Sequence, residues 1–385
     1  MDFAFTPEQD ELRRTVRNFL DKFATEADVR RLMETATGFD REVWRRIAGD
    51  LGVAGLALPE EYGGAGFGLV ELGICLEEFG RSLLCGPVLS TVVLAGSTLL
   101  LLGDGDACRT YLPGIADGGT VATLALTEAS GSWDAAGISA TATRDGDTWH
   151  LDGTKAYVLD GCSADILLVA ARTGTDTSTD TGGGTGISVF AVDPDAPGVR
   201  RTPQTTLDRT RKQAVIELTH APARLIGPEG RAWPTLARVL DLAAVAVAAE
   251  QAGGAARVRD MAVDYAKTRV QFGQPIGAFQ AVKHKLADMH TDVETARSTA
   301  HHALWTAAHD PAALPEAASL AKACCGDAFT RATTENIQVH GGIGFTWEHP
   351  AHLYLKRAYS TQQLFGNAAH HRRRLARKVL ADVAP

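Results

Sequence analysis

The chain has 385 residues, 45% hydrophobic and 22% charged, a composition ordinary for a soluble globular protein and a length that predicts two or three packed units. Its formal net charge of -8 argues against a nucleic-acid surface, and the one basic cluster, His370 to Arg374, reads as a solvated helix end or an intersubunit contact. No apolar stretch reaches the ~18 residues of a membrane span, and Met1 to Phe5 lacks the features of a secretory signal, so a cytoplasmic protein without a membrane partner is expected. The six cysteines form no C-x-x-C pair; reduced, structural cysteines and no metal site are expected.

In chain order, residues 1–118 read as a helical domain. Thr6-Pro7-Glu8-Gln9 is a helix start: a Thr N-cap, Pro at the first helical position, and Gln placed to close a capping box. Leu12, Val16, Phe19 and Leu20 then recur at helical spacing. The glycines between Tyr62 and Gly68 break the pattern, which resumes from Leu69 to Phe79. Near Gly119 the texture changes. Val121 to Thr127, Thr148 to Val158, Ile166 to Ala171, Ile187 to Val192 and Ala214 to Leu218 are strand-like, with turns at Asp145-Gly146-Asp147 and Asp152-Gly153. Strands grouped between runs of helices predict a separate antiparallel β-domain over 119–228 in an α+β multidomain chain. Within it, Thr173 to Gly186 is too polar to bury and predicts a mobile surface loop. From Trp233 the chain is helical again; Leu236 to Arg269 and Val282 to His309 predict long antiparallel helices and a four-helix bundle over 229–385.

The most specific motif is Arg269-Val270-Gln271-Phe272-Gly273-Gln274-Pro275-Ile276 followed by Phe279-Gln280. The planar fork of Arg suits a pyrophosphate, and the Gly-Gln-Pro turn ends the helix so that backbone and Phe272 can approach a dinucleotide. The run resembles the R-x-Q-F-G-x-P-I-x-x-F-Q signature of the acyl-CoA dehydrogenase family. Gln338-Val339-His340-Gly341-Gly342-Ile343-Gly344 is similar to that family's Gln-x-x-Gly-Gly-x-Gly segment. Thr127 to Asp134 (TEASGSWD) resembles its Thr-Glu-Pro-x-x-Gly-Ser-Asp; aligned without a gap, Ser132 and Trp133 replace Gly and Ser, whereas a one-residue slip matches Gly131-Ser132 and makes Trp133 an insertion. Gly153 to Gly161 (GTKAYVLDG) is similar to Gly-Thr-Lys-x-Trp-Ile-Thr-Asn-Gly, with Tyr157 and Leu159 in place of Trp and Thr. At Leu159 one side-chain bond to the ring, of order 1 kcal/mol, is lost. The resemblance implies FAD, with Thr127, Ser132, Tyr157, Leu159, Arg269, Gln271, Phe272, Phe279, Gln280, Gln338, Gly341 and Gly342 as cofactor-binding positions. It also implies an acyl-CoA thioester substrate, an electron-acceptor flavoprotein, and an oligomer in which the Gln338 segment reaches a neighbouring subunit's flavin.

Desaturation of a thioester at Cα–Cβ needs a carboxylate within hydrogen-bond reach of the α-proton. In the family that base is either the Glu of a Tyr-Glu-Gly-Thr segment or a Glu on the helix before the arginine motif. In this register the two positions are Phe365 and Ala243, and neither can accept a proton. Asp241 is the nearest acid, but two residues along a helix rotate it by about 200°; Glu250 is further along. A helix-surface salt bridge is expected of both. Three readings stay open: a non-catalytic, base-lacking subunit of a heterotetramer with a base-carrying paralogue; an active dehydrogenase, homo-oligomeric, with an unrecognised acid or a substrate needing weak base assistance; and another flavin reaction such as oxygenation. A structural assembly subunit without flavin is the non-enzyme alternative.

Overall fold

The computed structural model describes residues 5–146, 148–174 and 186–383. The predicted loop at Thr173 to Gly186 and the turn residue Asp147 lie mostly or wholly outside them. In chain order the helices begin with α1 (Pro7–Phe23), α2 (Glu26–Leu32), α3 (Arg41–Arg45), α4 (Leu69–Ser82), α5 (Ser97–Leu102) and α6 (Gly105–Ala116). Seven strands follow: β1 (Ala122–Ala125), β2 (Thr141–Asp145), β3 (Thr148–Leu159), β4 (Ile166–Thr173), β5 (Ile187–Val192), β6 (Val199–Pro203) and β7 (Gln213–Ile226). The remainder is α7 (Trp233–Thr268), a small hairpin of β8 (Val270–Gln271) and β9 (Gln274–Pro275), then α8 (Gln280–His309), α9 (Leu314–His340), α10 (Ala351–Gln363) and α11 (Ala368–Val383). These elements form two compact bodies: Met1–Arg30 with Gly68–Leu84 and Ala244–Pro385, and Arg31–Phe67 with Cys85–Ala243.

The first body is helical. The capping box forms as read: the Gln9 amide donates to Thr6 Oγ1 at 3.3 Å and the Thr6 amide donates to Gln9 Oε1 at 3.1 Å. α1 buries Val16 and Leu20 and packs on α4, which in turn packs on α8. A buried carboxylate ties these helices together. Glu77 on α4 accepts from Arg13 of α1 at 2.8 Å, from Arg297 of α8 at 2.9 Å, and lies 3.2 Å from His301 Nε2. The backbones of α4 and α7 meet at glycines on both sides. A Cβ on Gly253 would sit 1.8 Å from the Glu77 carbonyl oxygen, and one on Gly80 would sit 1.9 Å from that of Glu250. α7 passes the length and hydropathy test for a membrane span, but 94% of the apolar window is buried in the protein interior.

The second body is built on the sheet. β4, β2, β3, β7 and β5 pair in sequence and β5 returns to β4, so the ring closes, with β1 beside β4 and β6 beside β7. Closure removes sheet edges that would otherwise be open to pairing. Trp149, Leu151, Leu167, Val169, Phe190 and Ile216 fill its core. The sheet is mixed, not purely antiparallel as the sequence predicts, because β1 and β2 both run parallel to β4. A parallel neighbour needs a crossover, and here the crossover from β1 to β4 is the β2–β3 hairpin, not a helix. Asp241 and Glu250 correct a second expectation. Neither is a surface ion pair: Asp241 is 3% exposed, and Glu250 accepts from buried Arg357 at 2.7 Å. The basic cluster is also only partly solvated, since His371 is 1% exposed.

Two outcomes follow from the helical body. Gly253→Ala should lower stability by about 1–3 kcal/mol or more, because α4 and α7 must separate, and this is read as a lower Tm. Burial alone would raise the Glu77 carboxyl, but His301, Arg13 and Arg297 outweigh it and bring its pKa from 4.5 down to about 2. A depressed folded-state value gives stability that is complete above about 4.5 and is lost as pH falls toward about 2. Glu77→Gln should therefore remove part of the acid limb of the unfolding curve in that window.

Candidate functional site

The motif residues fall into a group on each body. In the β body, Thr127 follows β1 and is buried; its hydroxyl donates to the Ala156 carbonyl at 2.8 Å, and the Ala156 amide donates back to the Thr127 carbonyl at 2.9 Å. This double tie fixes the segment beside Tyr157. Glu128 is held harder still. It accepts from Lys155 Nζ at 2.8 Å, from the Ser139 and Ala140 amides at 2.9 Å each, and from the Ser139 hydroxyl. Burial works against the carboxylate, but these bonds outweigh it and keep the Glu128 pKa low. Lys155 is wholly buried and also donates to the Leu126 carbonyl at 3.1 Å.

Tyr157 sits at a β-bulge between Lys155 and Val158, with φ 58° and a ring 40% exposed. Its amide donates to Gln204 Oε1 at 2.8 Å, a partner that no motif pointed to. Leu159 is buried, and its carbonyl accepts from the Thr123 hydroxyl at 2.7 Å. Gly131 is the turn residue with positive φ, 66°, while Ser132 Oγ accepts from the Asp134 amide at 3.2 Å. The conformation that favours glycine therefore falls on Gly131, beside a half-buried Trp133.

On the helical body, α7 ends at the β8–β9 hairpin. Phe272 and Gly273 both have positive φ, 51° and 78°, as a two-residue type I′ connection requires. A left-handed phenylalanine is costly, yet the ring is 92% exposed and meets Phe279 edge-on at 6.2 Å. Arg269, Gln271 and Gln280 are exposed beside it. The Gln338 segment lies in the same body. Tyr265, one turn before Arg269, stacks on His340 at 4.3 Å, and His340 meets His349 at 4.3 Å. Gly341 ends α9 with φ 64° and ψ -141°, a conformation open in practice only to glycine. Gly342 is different: its φ is not positive, and a Cβ there would meet nothing within 4 Å. The space in front of that backbone is open.

The two positions where the resemblance would put a base are both apolar and buried. Ala243 on α7 is wholly buried, and Phe365, in the turn between α10 and α11, is 4% exposed with φ 58°. A cavity of about 260 Å³ in the helical body is lined by Arg17, Glu78, Arg81, Arg257 and Tyr354 among others, and none of the motif residues lines it.

With this geometry in place, comparison with known proteins is decisive on family. The acyl-CoA dehydrogenase N-terminal, middle and C-terminal domain families match residues 6–119, 123–219 and 230–380. Acyl-CoA dehydrogenase IpdE2 of Mycolicibacterium smegmatis is 34% identical over 372 residues, 97% of this chain and 99% of that protein. The Tcur3481-Tcur3483 steroid ACAD superposes with a TM-score of 0.86 at 34% identity, covering 98% and 99% of the two chains. The ChsE4-ChsE5 complex from Mycobacterium tuberculosis gives 0.88 at 32% identity, covering 100% of each chain. The chain belongs to the acyl-CoA dehydrogenase family, FAD-dependent oxidoreductases that act on CH-CH groups. An exposed arginine fork beside Phe272 and the open Gly341-Gly342 backbone fit such a dinucleotide.

The Glu128–Lys155 pair yields a direct test. Breaking a buried ion pair from one side leaves an uncompensated charge and costs ~3–5 kcal/mol. Lys155→Met should lower Tm strongly, and adding Glu128→Gln should recover part of the loss.

Proposed function

We propose that this chain is the base-lacking subunit of a heteromeric acyl-CoA dehydrogenase, binding FAD and a CoA thioester in an assembly whose partner subunit carries the carboxylate. The observation that carries the reading is the pair Phe365 and Ala243. Both side chains are buried and apolar where the family keeps its base, while the phosphate-binding motif from Arg269 to Gln280 is complete. The ChsE4-ChsE5 and Tcur3481-Tcur3483 neighbours, each named as two different chains, support it.

In this reading Arg269 pairs its fork with the FAD pyrophosphate, and Gln271, Phe272, Phe279 and Gln280 form the wall beside it. Gln338 and the Gly341-Gly342 backbone give the close approach, and this helical surface serves the flavin of an adjoining subunit. Thr127, Ser132, Tyr157 and Leu159 belong to the segments laid along the ring, with Tyr157 as the aromatic cover. Bound FAD supplies the hydride acceptor, and an electron-acceptor flavoprotein reoxidises it. What this chain does not supply is a proton acceptor at the substrate's α-carbon.

Three measurements test the reading. Arg269→Ala removes a charge-assisted bond worth roughly 1.5–3 kcal/mol, so the variant should lose flavin on dialysis that the wild type retains. The chain alone should not desaturate saturated acyl-CoAs or steroid side-chain thioesters, assayed with a ferrocenium acceptor, at ordinary rates of about 1–10³ s⁻¹. Phe365→Glu or Ala243→Glu should raise turnover, since a positioned base contributes ~10²–10⁴-fold. Ordinary rates from the partner-free wild type would sink the proposal, and loss of those rates in Asp241→Asn would then identify the base.

A further inference from the structure

Behind the turn that carries Phe365 stands a lysine with an unusual set of partners. Lys322 of α9 is wholly buried, and its amine donates to the carbonyls of Gln362 and Gly366, each at 3.1 Å. Those carbonyls lie on either side of Phe365. Burial of an ammonium costs several kcal/mol unless it is paired, and a methionine would fill the same space without that cost. Among the described ion pairs none involves Lys322, and burial pushes its pKa down to about 7.

The turn itself is strained. Phe365 holds φ 58° and Gly366 holds φ 97°, where an added Cβ would lie 2.6 Å from the His370 ring. A bulky residue stays left-handed only where its surroundings over-determine it. The surroundings do so here: the two Lys322 bonds hold the flanks, and His371 Nε2 donates to the Phe365 carbonyl at 3.0 Å. His371 is 1% exposed, and burial together with the neighbouring Lys322 depresses its pKa to about 3, so it acts as a neutral donor.

We propose that Lys322 is a positioning residue: its buried amine grips the turn from both sides and so sets the direction in which the side chain of residue 365 projects. Capping the end of α10 would account for the Gln362 bond alone. The Gly366 bond lies past the helix end and belongs to the turn. The assignment rests on this geometry and holds whether or not the chain is the base-lacking subunit.

The test is hydrogen exchange of the full-length, flavin-loaded protein, resolved to the peptide spanning residues 363–367, in wild type, Lys322→Met and Lys322→Arg. Loss of the two bonds in Lys322→Met should speed exchange in that peptide by about tenfold or more, with α9 and α11 unchanged and Tm near wild type. Lys322→Arg, which restores buried donors, should recover most of the protection. Unchanged exchange in the turn would overturn the proposal. So would an equal rise across α9, α10 and α11, which would make the lysine a general packing element. If Lys322→Met does not fold, Lys322→Gln, with a shorter donor, is read instead and should show an intermediate rise confined to the turn. Failure of both variants to fold also counts against the assignment.

Discussion

The helical body is organised around one buried carboxylate. Glu77 is a poor choice for a core position unless its charge is fully answered, and three basic side chains from two other helices answer it. Its backbone is equally committed, because the Glu77 carbonyl is the surface against which Gly253 of α7 is pressed. One residue thereby fixes where α1 and α8 lie against α4 and how closely α7 approaches. The arginine motif begins at the C-terminal end of α7, and the Gly341 turn is tied to the same end by the Tyr265–His340 stack. The surface proposed to hold the pyrophosphate thus takes its geometry from a crossing to which α4, distant in sequence, contributes one side.

Strain is distributed unevenly. Six described non-glycine residues have positive φ, and Tyr157, Phe272 and Phe365 are three of them. Each occupies a position where the resemblance puts flavin or base chemistry, and each is a bulky aromatic, for which a left-handed backbone is an outlier. Turns built only for connection would use glycine or asparagine. Keeping large rings there implies that the ring, and the direction in which the turn aims it, matter more than the energy lost. Phe272 makes the point most simply, since its ring is 92% exposed and packing within the chain does not explain it.

Much of this was legible in the sequence, for identifiable reasons. The capping box at Thr6, the strands at Ile166 and Ile187 and the long helices after Trp233 all carry strong local signals, and all are present. β2 and β6 escaped because their exposed, charged faces (TATRD and VRRTP) show almost no apolar alternation; they are strands only because neighbours pair with them. The parallel pairings of β4 were invisible because pairing direction is a property of topology, not of composition. Motif spacing singled out Arg269, Gln338 and Tyr157 but could not point to Gln204 or Lys322, whose bonds reach backbone groups 47 and 40 to 44 residues distant. Asp241 and Glu250 went wrong for the converse reason: acids on a helix are usually solvated, and the burial that overrides this is not written locally.

The state of the Phe365 turn bears on what was lost and what was kept. A turn that carries no acid is free, on chemical grounds, to adopt a cheaper backbone. This one does not: residue 365 is left-handed, Gly366 stands where a side chain would strike His370, and a buried lysine bonds both flanks. A buried amine placed behind an inert phenylalanine makes sense if the apolar side chain itself has to be positioned. On the proposed reading position 365 serves shape and not proton transfer, on a backbone held from both sides by Lys322 and by His371.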